Sequence, residues 1–262
     1  MGKYYRKRRQ NDDGLALVIL VLLIGIISFV LKNWLFCLSI LILVLLCIII
    51  YIIIDKKSNF KSVKYYQGNS SDEWLRELEK NPIGNEFKIK NLKYGIYGEN
   101  NLIYTLMQSN ISMYILHDLV LYYDDKRAQI DVMVVTKRCI YIIEAKNIKS
   151  NVTIENDGTF IRNYHKYKRG FKNPLTQNDE HKNVLNSIFK KEKIHLSKKY
   201  LVVLTNNDSY VRYKSGNDGI KNKIIRNDKL VSYIKKNEKN KLYFIKELKV
   251  RKISDAILKY TK

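Results

Sequence analysis

Asp131, Glu144 and Lys146 are the residues of this 262-residue chain whose types and spacing point most directly to chemistry. Twelve residues separate the two carboxylates, and one separates Glu144 from the lysine. All three lie in the stretch QIDVMVVTKRCIYIIEAK, residues 129–146, where two apolar, β-branched runs flank a polar turn at Thr136–Arg138. That pattern predicts a β-hairpin. With the turn centred on Lys137 and Arg138, Val135 pairs with Ile140 and Asp131 with Glu144. Glu144 and Lys146, two apart, share one face of their strand. Like charges directly opposite in an antiparallel pair lie ~4.5–5.5 Å apart and repel. A divalent cation would offset that cost. Carboxylates holding Mg2+ or Mn2+ neutralise developing charge and acidify a bound water, which is what phosphodiester hydrolysis requires. The competing reading is a buried ion pair in which Lys146 neutralises one carboxylate. Two carboxylates against one lysine still leave net negative charge, and buried ion pairs barely break even.

Elements around the hairpin must hold these groups. Leu102, Ile103, Leu106 and Met107 form a helical stripe over 98–108, and residues 114–121 read as a strand before a turn at Asp124–Asp125. Residues 152–154 and 159–162, split by Asn156-Asp157-Gly158, predict a second hairpin. Residues 175–189 read as a helix with Asn173 as N-cap and Pro174 at its first position. Tyr200 to Leu204 reads as a buried strand. A short helix at 73–80, capped by Ser71 or Asp72, precedes Asn81-Pro82. The last residues, 228–262, read as mostly helical, with a strand at 242–245.

Four motifs carry a family resemblance: Gly95-Ile96-Tyr97-Gly98-Glu99, Gln129-Ile130-Asp131, Glu144-Ala145-Lys146-Asn147 and Asn173-Pro174-Leu175-x-Gln177. In this order they resemble the NERD family, the nuclease-related domain of the PD-(D/E)xK superfamily, from Gly95 to about Leu204. The chain departs at Val132, where the family often has His, and at Phe160, where it often has Trp. The resemblance implies an α/β, restriction-endonuclease-like mixed sheet flanked by helices. It also implies a site of Asp131, Glu144 and Glu99, with Lys146 and Gln177. Asp131 and Glu144 are the expected metal ligands, with the Ala145 carbonyl a candidate third. Lys146 would position or deprotonate the attacking water, or hold phosphate charge. Glu99, placed at a helix start after two glycines, would join the acidic cluster as an orienting group or a ligand to a second metal. Gln177 would orient the lysine or the water.

Two apolar stretches, 15–31 and 34–54, contain no charged residue and are separated only by Lys32-Asn33. Each approaches the ~20 residues that cross a bilayer core of ~30 Å. They predict two transmembrane helices forming a hairpin that anchors the chain. Lys3, Arg6, Lys7, Arg8 and Arg9 precede it and Lys56, Lys57, Lys61 and Lys64 follow it, so both ends are expected on the cytoplasmic side of the cell membrane. No small-residue cleavage site follows the first stretch, which argues against a signal peptide.

The net charge of +23 favours anionic partners, nucleic acid or an anionic leaflet, although a joint richness in Lys, Asn, Ile and Tyr also fits compositional bias. Tyr164, Lys166, Lys168 and Arg169 interleave aromatics and bases, a pattern that stacks bases and grips phosphates, or else a solvated loop. From Lys191 to Lys262 the chain holds 20 Lys+Arg against 7 Asp+Glu. Cys37, Cys47 and Cys139 lack metal-type spacing and read as small buried hydrophobes. His117, His165, His181 and His195 are scattered and read as surface or local structural groups.

The expected organisation is a basic leader (1–14), the hairpin (15–54), a juxtamembrane spacer (55–91), the nuclease-like domain (92–205) and a basic, mostly helical C-terminal region (206–262). The expected function is a membrane-anchored, Mg2+- or Mn2+-dependent nuclease acting on cytoplasmic DNA, ahead of RNA. The alternative is a membrane-tethered nucleic-acid-binding or interaction module with a non-catalytic nuclease fold.

Overall fold

A computed structural model describes residues 17–26, 28–29, 31–58, 63–214, 218–239, 245 and 247–261. The chain forms two compact units, Met1–Phe60 and Lys61–Lys262.

In the first unit, residues 17–26 are helical, and α1 runs Trp34–Ser58. Asn33 N donates to Phe29 O at 2.9 Å between them. The described apolar side chains of both segments are exposed. Among the described residues no helix is long and apolar enough to cross a membrane. The expected pair of transmembrane helices is therefore not found. The leader 1–14 lies outside the described residues.

The second unit is built on a six-stranded mixed sheet in the order β1-β2-β3-β4-β8-β10. Its strands are β1 (Val63–Gln67), β2 (Met113–Tyr123), β3 (Lys126–Thr136), β4 (Cys139–Lys146), β8 (Ser197–Leu204) and β10 (Ile224–Arg226). The β3–β4 hairpin has the expected register, Val135 opposite Ile140. β1 runs parallel to β2, and β4, β8 and β10 run parallel to one another. A second sheet, β7-β6-β5-β9, holds the predicted hairpin of β5 (Asn151–Ile154) and β6 (Phe160–Asn163), extended by β7 (Lys168–Phe171) and β9 (Val211–Tyr213).

Among the described residues six helices accompany the sheets: α2 (Ser70–Lys80), α3 (Glu86–Met107), α4 (Pro174–Lys191), α5 (Asp218–Lys221), α6 (Asn227–Lys239) and α7 (Glu247–Leu258). On one face of the main sheet, Leu116, Ile130, Met133, Ile140 and Ile142 pack with Val184, Leu185 and Ile188 of α4 and with Val250, Ile253 and Ile257 of α7. On the other, Ile115, Val132, Val134, Tyr141, Ile143 and Val203 pack with Leu102, Ile103 and Leu106 of α3 and with Leu230 and Ile234 of α6. Asn173 caps α4 as expected, its side chain accepting from Leu175 N at 2.9 Å. The expected strand at 242–245 falls mostly outside the described residues.

Two elements differ from the sequence expectation. Helix α3 begins twelve residues before Gly98, so Glu99 lies in the helix body and not at its start. Gly95 and Gly98 each cost about 1 kcal/mol against Ala in a helix, but packing of the apolar stripe on the sheet outweighs that. Residues 63–67, expected in a spacer, form an edge strand of the main sheet.

Candidate active site

The two-residue alternation that sends side chains to opposite sheet faces breaks at one paired position. In β2, Tyr114 and Leu116 face the α4 side, and so do Leu119 and Leu121. In β3, Ala128 and Ile130 share that side with Met133 and Val135. The pairing runs from His117 opposite Val132 to Leu119 opposite Ile130, and Asp118 and Asp131 fall in the gap. Asp118 supplies the kink with a left-handed backbone, φ 53°. Such a conformation is tolerated by Asp better than by most residues.

The kink changes where Asp131 points. The β3–β4 ladder stops at Val132 opposite Ile143, one position short of Asp131 and Glu144. Asp131 Oδ2 instead accepts the backbone N–H of Ala145 at 2.8 Å. Glu144 continues the face of Ile140 and Ile142, is buried, and forms an ion pair with the partly exposed Lys146. The structure thus brings the expected trio together at the open end of the hairpin.

Glu99 reaches the same region from α3. The helix can approach because position 98 has no side chain. A Cβ there would stand 2.5 Å from Thr205 Oγ1 and 2.7 Å from Asn147 Cβ. Asn101 Nδ2 donates to Thr205 O at 3.1 Å and Asn147 Nδ2 to Tyr94 O at 2.8 Å, fastening the helix to the loops that leave β4 and β8.

The electrostatics follow from this proximity. Burial pushes the Asp131 carboxyl well above the usual carboxylate range, and the charges of Glu144 and then Glu99 push it further. Lys146 and the Ala145 N–H pull it back only in part. The region is an acidic cluster, with Glu144 buried and Asp131 and Glu99 partly buried, beside one ammonium.

His117 is a member that its sequence position did not reveal. It was expected to be a surface or local structural group, but it is buried, and its Nε2 lies 2.9 Å from Glu99 Oε2. The apolar spacing of two becomes three across Leu116-His117-Asp118-Leu119, whereas the matching face switch between Ile130 and Met133 shows only in the folded sheet. Gln177 is partly buried one turn into α4, and among the described residues it makes no hydrogen bond to any of these carboxylates. Tyr164, Lys166, Lys168 and Arg169 are all exposed on the β6–β7 hairpin, where Tyr164 and Tyr167 stack with ring centroids 4.6 Å apart.

Among the described residues no group of three or more His, Cys, Asp and Glu forms a metal cage. The donor set still suits a hard cation. Asp131 keeps Oδ1 and Glu144 keeps Oε2 after their single hydrogen bonds to Ala145 and Lys146. Magnesium-like ions commonly take one or two carboxylates and keep several waters, so a full protein cage is not required.

Residues 94–205 match the family model NERD, the nuclease-related domain. The match runs from the middle of α3 through β8 and contains Glu99, His117, Asp131, Glu144, Lys146 and Gln177. No curated protein and no solved structure matches the chain.

Proposed function

We propose that this protein is a membrane-anchored nuclease that hydrolyses phosphodiester bonds of cytoplasmic DNA with the help of Mg2+ or Mn2+. The observation that carries the reading is the meeting of Asp131, Glu144 and Lys146 at the open end of one hairpin inside the nuclease-related domain. Asp131 and Glu144 would hold the ion, with the Ala145 carbonyl beside them. When bound, the metal supplies an acidified water and neutralises charge on the phosphate. Lys146, partly exposed, faces the phosphate or the water and holds the charge that develops there. Glu99 orients the acidic cluster from the α3 side. The exposed Tyr164, Lys166, Lys168 and Arg169 supply stacking and phosphate contacts, and the net charge of +23 draws the polyanion in.

Anchoring rests on the sequence of the first unit. The stretches 15–31 and 34–54 carry no charge, and the described apolar side chains there are exposed, an arrangement that water disfavours and lipid does not. The basic residues on both flanks put the two ends on the cytoplasmic side.

The test uses the full-length protein. With Mn2+ it should cut duplex DNA, EDTA should stop the cutting, and alkaline washing should leave the chain in the membrane pellet. No cutting across metals and substrates rejects the nuclease reading, and release by the wash rejects the anchor.

A second reading, a nucleic-acid-binding module without turnover, is favoured by the Lys146–Glu144 ion pair. It predicts salt-sensitive DNA binding that survives Asp131→Asn and needs no metal.

A further inference from the structure

His117 is held on both sides. Its Nε2 meets Glu99 Oε2, and its Nδ1 lies 2.9 Å from the hydroxyl of Tyr65 on β1. The Tyr65 hydroxyl also donates to Gln67 Oε1 at 2.8 Å, and the two rings stack with centroids 6.1 Å apart. With both ring nitrogens engaged, the imidazole cannot turn without losing two hydrogen bonds. Side chains fixed in this way hold their partners in one rotamer, which a preorganised site requires.

The strand that brings Tyr65 is itself docked on the kink. Gly68 N donates to His117 O at 2.8 Å, and a Cβ at position 68 would stand 2.1 Å from Asp118 O. Asp118 is buried, and its carboxylate accepts from Ser70 Oγ at 2.5 Å, Ser71 N at 2.8 Å and Ser71 Oγ at 2.9 Å. One left-handed residue therefore does two things. It turns Asp131 toward Ala145, and it seats the segment 63–71 so that Tyr65 reaches His117. This segment lies outside the matched region 94–205.

We propose that Tyr65 and His117 are a positioning pair for Glu99, so that β1, outside the matched region, is part of the functional site. The inference rests on the metal-nuclease reading above. Neither residue touches the reacting atoms. Tyr65 fixes the ring, and the ring fixes the carboxylate beside Asp131.

The experiment uses full-length protein carrying Tyr65→Phe, His117→Ala or His117→Gln. It reads Mn2+ affinity by calorimetry without DNA, kcat and KM on duplex DNA, and the unfolding midpoint in EDTA. Loss of an outer-shell partner in a metal site costs ~10–100-fold in metal affinity or rate, and His117 acts on that shell through Glu99. His117→Ala should show that loss in Mn2+ affinity and kcat, with KM for DNA unchanged. His117→Gln, whose amide still donates toward Glu99, should recover most of it. Tyr65→Phe, on an exposed edge strand, should lose several-fold without lowering the EDTA midpoint. Wild-type Mn2+ affinity and kcat in His117→Ala and Tyr65→Phe overturn the pair while leaving the nuclease reading intact. So does a loss that follows the unfolding midpoint and is not recovered by Gln. A wild-type chain that neither binds Mn2+ nor cuts overturns both.

Discussion

Asp131 Oδ2 accepts the backbone N–H of Ala145 at 2.8 Å, across the point where β3 and β4 cease to pair. The bond holds a partly buried carboxylate beside Glu144 and Glu99. Burial and two acidic neighbours raise its affinity for a proton. The folded state therefore binds a proton at Asp131 more readily than the unfolded chain does. Stability falls as pH rises above the ordinary carboxylate range, until the raised value is passed. Metal-free wild type should lose stability relative to Asp131→Asn as pH rises through that window. The two should converge at acid pH. Thermal unfolding in EDTA across pH checks this, and a gap that widens toward acid contradicts it.

Glu144 and Lys146 share one face of β4, and each has a distinct expected loss. Glu144→Gln keeps the shape of the side chain and removes its charge. It should leave the fold intact and lower the cutting rate by about 1,000-fold, roughly 4 kcal/mol of transition-state stabilisation. Lys146→Ala should lower kcat by a similar order while Mn2+ binding persists, because the ammonium is not a ligand. Single-turnover cleavage together with metal titration separates the two.

Gly95 and Gly98 lie in the same helix and should respond oppositely to alanine. Nothing lies within 4 Å of a Cβ at 95. Gly95→Ala should stabilise by roughly 0.5–1 kcal/mol, since alanine is the better helix former. At 98 the added carbon meets Asn147 and Thr205. Gly98→Ala should cost about 1–3 kcal/mol, as overpacking does, and should also lower activity by lifting Glu99 away from the sheet. Urea unfolding measures the first effect and cleavage the second.

The parts of this site that could be read from sequence are those fixed by local chemistry. The β3–β4 register follows from two apolar runs and a short turn, and the start of α4 follows from Asn173-Pro174. What escaped depends on distant partners. VKYYQ has no alternation to mark it as a strand, because β1 is an edge with mostly exposed side chains. Its hydrogen-bonding partners lie some fifty residues later. Helix α3 escaped because Gly95 and Gly98 look like punctuation, whereas Gly98 is small so that the helix can come close. His117 escaped because a lone histidine has no spacing to read. Only the break in apolar spacing at His117-Asp118 marks the place in sequence, because Val132 continues the spacing from Ile130. The two uncharged stretches near the start are conspicuous in sequence, but among the described residues no helix is long and apolar enough to cross a membrane.

The β6–β7 hairpin extends Tyr164, Lys166, Tyr167, Lys168 and Arg169 into solvent, away from any buried core. Tyr164 N donates to Tyr167 O at 2.9 Å, so the tip is a closed turn with its stacked tyrosines on show. Their removal should cost the fold little, which makes this a clean test of nucleic-acid contact. Replacing Lys166, Lys168 and Arg169 together with alanine should weaken duplex DNA binding. If all three meet phosphates, the slope of log affinity against log salt should fall by about 2.7, near 0.9 per contact. Tyr164→Ala should weaken single-stranded DNA more than duplex, because only unpaired bases can stack on the ring, at ~1–3 kcal/mol per base. Fluorescence anisotropy over a salt series in EDTA reads both effects without cleavage. An unchanged salt slope in the triple variant would assign the polyanion to another basic surface, such as the one contributed by 206–262.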